Sequence, residues 1–141
     1  MNYSRLALAA LGGTVASFLF GFLVLWLVPA LFDEARKYPA VWRSRDEMNA
    51  VMPIGLVASL LAVLIVAILF AMMHPAGSSL AEGARFGVLI GLFVVFGFVL
   101  HNYVNLNIGL RLAIGQALAY FVQWTIVGMV ISLIYKQPVP R

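Results

Sequence analysis

Gln116, Tyr120 and Gln123 stand in the stretch "GQALAYFVQW" at spacings of four and three. On a helix these positions share one face. Just upstream, "HNYVNLN" (residues 101–107) gathers His101, Asn102 and Asn105, with His101 and Asn105 one turn apart. Amides and a phenol are hydrogen-bonding groups, suited to holding a ligand, gripping a neighbouring helix or lining a water path. Of the set, only His101 could exchange a proton near neutral pH. Other chemistry is thin. HExxH, GxSxG, CxxC and GxxxxGK[ST] are all missing from the chain, and it has no cysteine. The two histidines, His74 and His101, flank the same apolar segment from opposite ends, so a bis-histidine haem or metal site within one protomer is not expected. No catalytic residue, metal or cofactor is expected.

The elements that must carry these groups are set by composition. The chain of 141 residues is 64% hydrophobic and 10% charged, with a mean hydropathy of +1.03. Soluble domains carry roughly 25% charged residues. A soluble domain of this length would have to show most of its apolar surface to water, so lipid is the expected solvent. Apolar segments run over about 6–32, 51–73, 84–104 and 108–135. Each meets the ~20 residues needed to cross a ~30 Å hydrocarbon core. The expected fold class is all-α, a single domain over 1–141 made of four transmembrane helices in a bundle, with one polar loop at 33–50. The first segment is too long for the ~7–15-residue core of a cleavable signal and is read as a retained span. No acid lies inside any span, which argues against a proton-coupled transporter built on an intramembrane carboxylate.

Ser44-Arg45-Asp46-Glu47 and Ser79-Leu80-Ala81-Glu82 both fit capping boxes and mark the starts of the second and third helices. The second then enters the membrane past Pro53, where a mild kink is expected. Glu82 and Arg85 read as a local pair. "HPAGSS" (residues 74–79) is turn chemistry, and the C-terminal "KQPVPR" is too polar and proline-rich to extend the last helix. Four spans put both termini on one side, side A. Side A holds Arg5, Arg85, Lys136 and Arg141; side B holds Arg36, Lys37, Arg43, Arg45 and Arg111. Orientation follows such counts near helix ends, and these nearly tie. Side A is read as cytoplasmic.

Helix association in lipid depends on close backbone approach, which small residues at every fourth position permit. Gly13, Ser17 and Gly21 make such a stripe in the first span, with Ala9 before them; Gly83, Gly87 and Gly91 make one in the third. Gly55 and Ser59, and Gly128 and Ser132, extend the pattern to the other two. Spans one and three are therefore expected to pack tightly, within the chain or across a dimer. "FLFGFLVLW" (residues 18–26) faintly echoes "VVFGFVLHN" (residues 94–102), a match that chance explains.

His101, Asn102 and Asn105 share the side-B leaflet with Gln116 and Tyr120, and Gln123 falls near mid-membrane. An unsatisfied amide in hydrocarbon costs several kcal/mol, so these groups should face protein or water. In one reading Asn105 and Asn107 form a turn and cap the fourth helix, while the glutamines bond neighbouring helices. In the other, His101, Asn102, Asn105, Gln116, Tyr120 and Gln123 line a ligand pocket opening to side B, closed by the 33–50 loop. In that loop Tyr38 and Trp42, with Trp26, are placed as interfacial anchors, and its charges read as local pairs or as a docking surface.

A first helix ending near Trp26 and Pro29, a charged loop, and a third helix opening "EGARFGVLIG" (residues 82–91) resemble small uncharacterised bacterial four-span membrane proteins. The resemblance implies a bacterial inner membrane and carries no activity and no site residues. The expected role is non-enzymatic: an accessory or structural subunit binding partner helices, lipid or a hydrophobic small molecule. It would work as a homo-oligomer or within a larger membrane complex. The alternative is a small oligomeric transporter or channel with a polar path along the fourth helix. A membrane enzyme comes third, with His101 as its only candidate base. No basic patch interleaved with aromatics exists, so nucleic acid is not an expected partner. Reporter fusions at the two ends should report the same sidedness and a fusion within residues 36–45 the opposite. Opposite signals from the two ends would end the four-span reading.

Overall fold

The computed structural model describes residues 2–74 and 79–135. Among them every regular element is helical: α1 (Tyr3–Leu27), α2 (Pro29–Ala35), α3 (Arg45–Met73), α4 (Leu80–Val94), a π-helical turn (Val95–Val99), α5 (Leu100–Asn105) and α6 (Leu110–Ile134). Four rods are long and apolar enough to cross a membrane: α1, α3, the continuous run Leu80–Asn105, and α6. A 25-residue helix such as α1 or α6 reaches about 37 Å at 1.5 Å per residue, beyond the ~30 Å it must cross. Most of the turn expected over 74–79, the C-terminal "KQPVPR", and Lys136 and Arg141 of the charge comparison lie outside the described residues.

Local chemistry sets the ends. Ser44 Oγ accepts from the Glu47 amide while Glu47 Oε2 accepts from the Ser44 amide at 2.8 Å. Ser79 and Glu82 form the same reciprocal pair. The Glu82 carboxylate is thereby committed to Ser79, and no Glu82–Arg85 salt bridge forms among the described residues, contrary to the expected pairing. The first apolar segment is not one helix. It breaks at Val28, whose φ of −127° and ψ of 59° lie off the helical region. Pro29 supplies the reason: its ring disfavours helical backbone at the preceding residue, and it opens α2 at a position needing no donor. Pro53, by contrast, lies within the unbroken α3.

The tightest contact joins α4 to α6, backbone against backbone. A Cβ built on Gly87 would lie 2.5 Å from the Trp124 carbonyl oxygen and 2.8 Å from Thr125 Cα. One on Gly83 would collide with Ser132, and one on Gly91 would press the Phe121 carbonyl oxygen at 3.0 Å. Reciprocally, a Cβ on Gly128 would sit 2.6 Å from Gly87 Cα. Spans one and three do not pair within the chain as expected; each lies on α6 instead, and α1 also packs on α3. The reason is that the α4 glycine face is fully used by α6. Gly13 still serves close approach, 2.8 Å from Val63 Cγ1 by the same construction, whereas Gly21 meets no atom within 4 Å.

The core sits towards side A. Leu6 and Ala9 of α1, Val63 to Ala71 of α3, Phe86, and Val127, Ile131 and Tyr135 close around Phe70. The Phe86 ring meets Phe70 edge-on at 5.2 Å and the His74 ring stacks on it at 4.4 Å. Towards side B the bundle loosens. No residue of α3 before Val63 is buried, and none of α1 after Gly13. The glycines give an internal control for these distances. Gly87→Ala should cost about 1–3 kcal/mol through overpacking, while Gly21→Ala and Gly55→Ala, which meet open space, should keep or raise thermal stability in detergent, alanine being the better helix former by up to about 1 kcal/mol. Equal melting temperatures for all three would remove close backbone approach as the source of the α4–α6 contact.

Candidate functional site

The side-B end of α6 is held by residues that come from the loop. α2 and the turns after it carry Leu31, Ala35 and Tyr38 at helical spacing, and with Val41 these pack on Ile108, Leu112 and Ala113. Tyr38 reaches across 71 positions: its hydroxyl oxygen accepts the Gly109 amide at 2.9 Å. Gly109 is the N-cap of α6 and offers no side chain to cap with, so Tyr38 replaces the missing cap. Glu34 stands behind it, 3.9 Å from the Cβ position of Gly109, where the positive end of the helix dipole favours a carboxylate. At 9% exposure it is the one buried charged residue among those described. Lys37 Nζ donates to Glu34 Oε2 at 2.7 Å. That hydrogen bond, outweighing burial and helped by the charges of Lys37 and Arg111 and by the Tyr38 hydroxyl, holds the Glu34 carboxyl below its usual value. The Arg36–Asp33 pair, 3.1 Å apart and exposed on both sides, contributes little.

Gln123 is engaged. Its Nε2 donates to Ser17 Oγ on α1, with the Ser17 carbonyl oxygen 3.5 Å away. This ties α1 to α6 near mid-membrane. Gln116 and Tyr120, seven and three positions earlier on the same face, make no hydrogen bond to a described residue. Gln116 is half-buried and Tyr120 is 36% exposed. They lie at the level where α1 and α3 have stopped contributing buried residues.

His101, Asn102 and Asn105 sit elsewhere. They belong to α5, where Asn105 Nδ2 donates to the His101 carbonyl oxygen at 3.0 Å within its own helix. α5 adjoins the side of α6 carrying Ile114 and Leu118, each about 200° around the helix from Gln116. The structure therefore brings Gln116, Tyr120 and Gln123 together with Ser17, and sets the 101–105 group on a different side of α6. One reading expected Asn105 and Asn107 to cap α6; they do not, and it is the Tyr38 hydroxyl that accepts the Gly109 amide, with Glu34 close behind it. No cluster of three or more metal-ligating side chains occurs among the described residues.

With this geometry, residues 8–132 match the model of a protein family of unknown function, DUF1761. The chain belongs to that family. No curated protein and no solved structure matches it. The match runs from within α1 to within α6 and takes in α2 and the two spans between.

The contacts of Glu34 and Tyr38 with the start of α6 are not visible in the sequence, because nothing local links the polar loop at 33–50 to Gly109. The signal that could have found them is the apolar stripe Leu31–Ala35–Tyr38 following a proline, which is a short amphipathic helix. Tyr38→Phe should lower stability by about 1 kcal/mol, the usual loss for one hydrogen bond. For Glu34 the sign is fixed by the lowered pKa. Its contribution is complete above the ordinary value of 4.5 and disappears as pH falls through the depressed native value. The melting temperature of wild type should exceed that of Glu34→Gln at pH 7, with the gap closing as pH falls below 4.5 and through the lowered native value. A gap independent of pH would show that the carboxylate charge is not what holds α2 to α6.

Proposed function

We propose that this is a non-enzymatic multi-pass membrane protein that binds a hydrophobic partner within the membrane: a helix of another subunit, a lipid or an apolar small molecule. One observation supports the reading most. Gln116 and Tyr120 hold polar atoms at a depth where hydrocarbon would leave them unsatisfied, and no described residue of the chain bonds them. The bundle is closed around Phe70 at one end and open beside this pair at the other. A partner with an apolar body and one hydrogen-bonding group fits that combination. Its nature as an accessory subunit in a bacterial inner membrane, with side A cytoplasmic, belongs to the same proposal.

The same two side chains favour a second reading, a small oligomeric transporter or channel with its polar path along α6. Against it stands the Ser17–Gln123 bond, which occupies the polar face at mid-membrane. The two readings separate on Gln123. Wild type purified in mild detergent should retain a bound protein or lipid detectable by mass spectrometry. Gln116→Leu and Tyr120→Phe should cut that retention about tenfold, the effect of one hydrogen bond of ~1.4 kcal/mol. Gln123→Leu should cost stability and leave retention in place. Retention unchanged by the first two variants would refute the binding reading. Loss of solute flux in vesicles on Gln123→Leu would establish the transport reading in its stead.

A further inference from the structure

The backbone contact between α4 and α6 ends at Gly91 and Phe121. Immediately beyond it the third span changes winding: Val95–Val99 form a π turn, with the Leu100 amide bonded to the Val95 carbonyl oxygen five residues back. Such insertions are rare and shift the register of everything that follows. Here a groove of about 200 Å³ opens between the two spans. One wall is Leu92, Phe96 and Leu100, the other Ile114, Leu118 and Phe121. Both walls are apolar, and Leu92, Phe96, Ile114 and Leu118 are exposed, so the groove faces the bilayer.

Its dimensions and its mouth select an occupant. From Leu92 to Leu100 the wall rises about 12 Å at 1.5 Å per residue, close to the ~15 Å depth of one leaflet. Arg111 lies one turn towards side B from Ile114 and two turns from Leu118, on the same face of α6. It is exposed and makes no salt bridge with a described residue, although its charge reaches Glu34. Tyr103 stands one turn beyond Leu100 on the opposite wall. Each wall is thus apolar through the leaflet and topped, at headgroup level, by a hydrogen-bond donor, one of them cationic. The other side-B cations next to α2, Arg36 and Lys37, are already paired with Asp33 and Glu34.

We infer that the groove between α4–α5 and α6 is a binding site for an anionic phospholipid, with one acyl chain between Phe96 and Leu118 and the phosphate at Arg111. The site deepens the binding reading above but uses a different side of α6 from Gln116 and Tyr120. The guanidinium would take a phosphate oxygen in a charge-assisted bond, and the first turn of α6 adds the positive end of its dipole.

The test compares phosphatidylglycerol with phosphatidylcholine of identical chains, added to the delipidated protein in mild detergent, read by native mass spectrometry. Wild type should retain phosphatidylglycerol about tenfold better: both lipids offer a phosphate oxygen to Arg111, but the choline cation of phosphatidylcholine cancels its phosphate charge and repels the guanidinium. Arg111→Gln should reduce the two lipids to equal retention. Ala117→Phe, which fills the groove floor, should lower retention of both, with the helical circular dichroism of wild type as the control for folding. Arg36→Gln should keep the preference. sn-Glycerol 3-phosphate, which has the headgroup anion and no chains, should not compete. Equal retention of the two lipids by wild type, a preference that survives Arg111→Gln, or full competition by the soluble phosphate would each overturn the inference. Gln116→Leu should leave the preference intact, so this site can fail while the Gln116–Tyr120 reading stands, and the reverse.

Discussion

Nothing draws two apolar helices together in a solvent as apolar as they are, so the fold rests on how closely backbones can meet. In this chain that meeting occurs along Gly83, Gly87 and Gly128, where no Cβ would fit. With α4 seated on one side of α6, the other side is left for α1 and α3, which close around Phe70 and bury the side-A half of the bundle. The division of α6 into two working sides follows from this. One side presents Gln116, Tyr120 and Gln123 towards α1. The other carries the glycine contact and, past the π turn, the apolar groove.

The second organising pressure is the satisfaction of polar groups where water is scarce. Thr14 and Thr125 donate to carbonyls one turn back in their own helices, so they demand nothing of their neighbours. Gln123 spends its amide on Ser17 and joins two spans. Tyr38 and Glu34 serve the free N-terminus of α6 from a segment 71 to 75 positions away, closing the side-B end with a phenol and a carboxylate rather than with an asparagine of the adjacent turn. Gln116 and Tyr120, like Ser59 and Trp124 in the same spans, make no side-chain hydrogen bond to a described residue.

Side B therefore holds the loosened ends of α1 and α3, the α2 latch, the unbonded side chains of Gln116 and Tyr120, and the π-turn groove. Side A has the packed core. Rigidity at one end and openness at the other suits the proposed binding of a partner from the bilayer, because lateral entry needs a gap between helices that the rest of the bundle keeps in shape.

Class, span number and helix starts were legible in the sequence, because each depends on local chemistry alone. Apolar run length dictates a membrane span, and the Ser44–Glu47 and Ser79–Glu82 pairs need only residues three apart. The small-residue stripes marked which faces could meet but not which faces did. Gly21 and Gly87 look alike in sequence, yet one meets open space and the other a backbone. The same held for the polar residues: spacing put Gln116, Tyr120 and Gln123 on one face, and only the assembled bundle gave Gln123 to Ser17 and parted His101 from the set. The cap on α6 was beyond local reading altogether, since Tyr38 and Gly109 are neighbours in space through the Val28 break and the turn of α2. Periodicity and capping act over one or two helical turns, whereas helix pairing is decided by which of several similar surfaces fit most closely, a choice made only when all the helices are present at once.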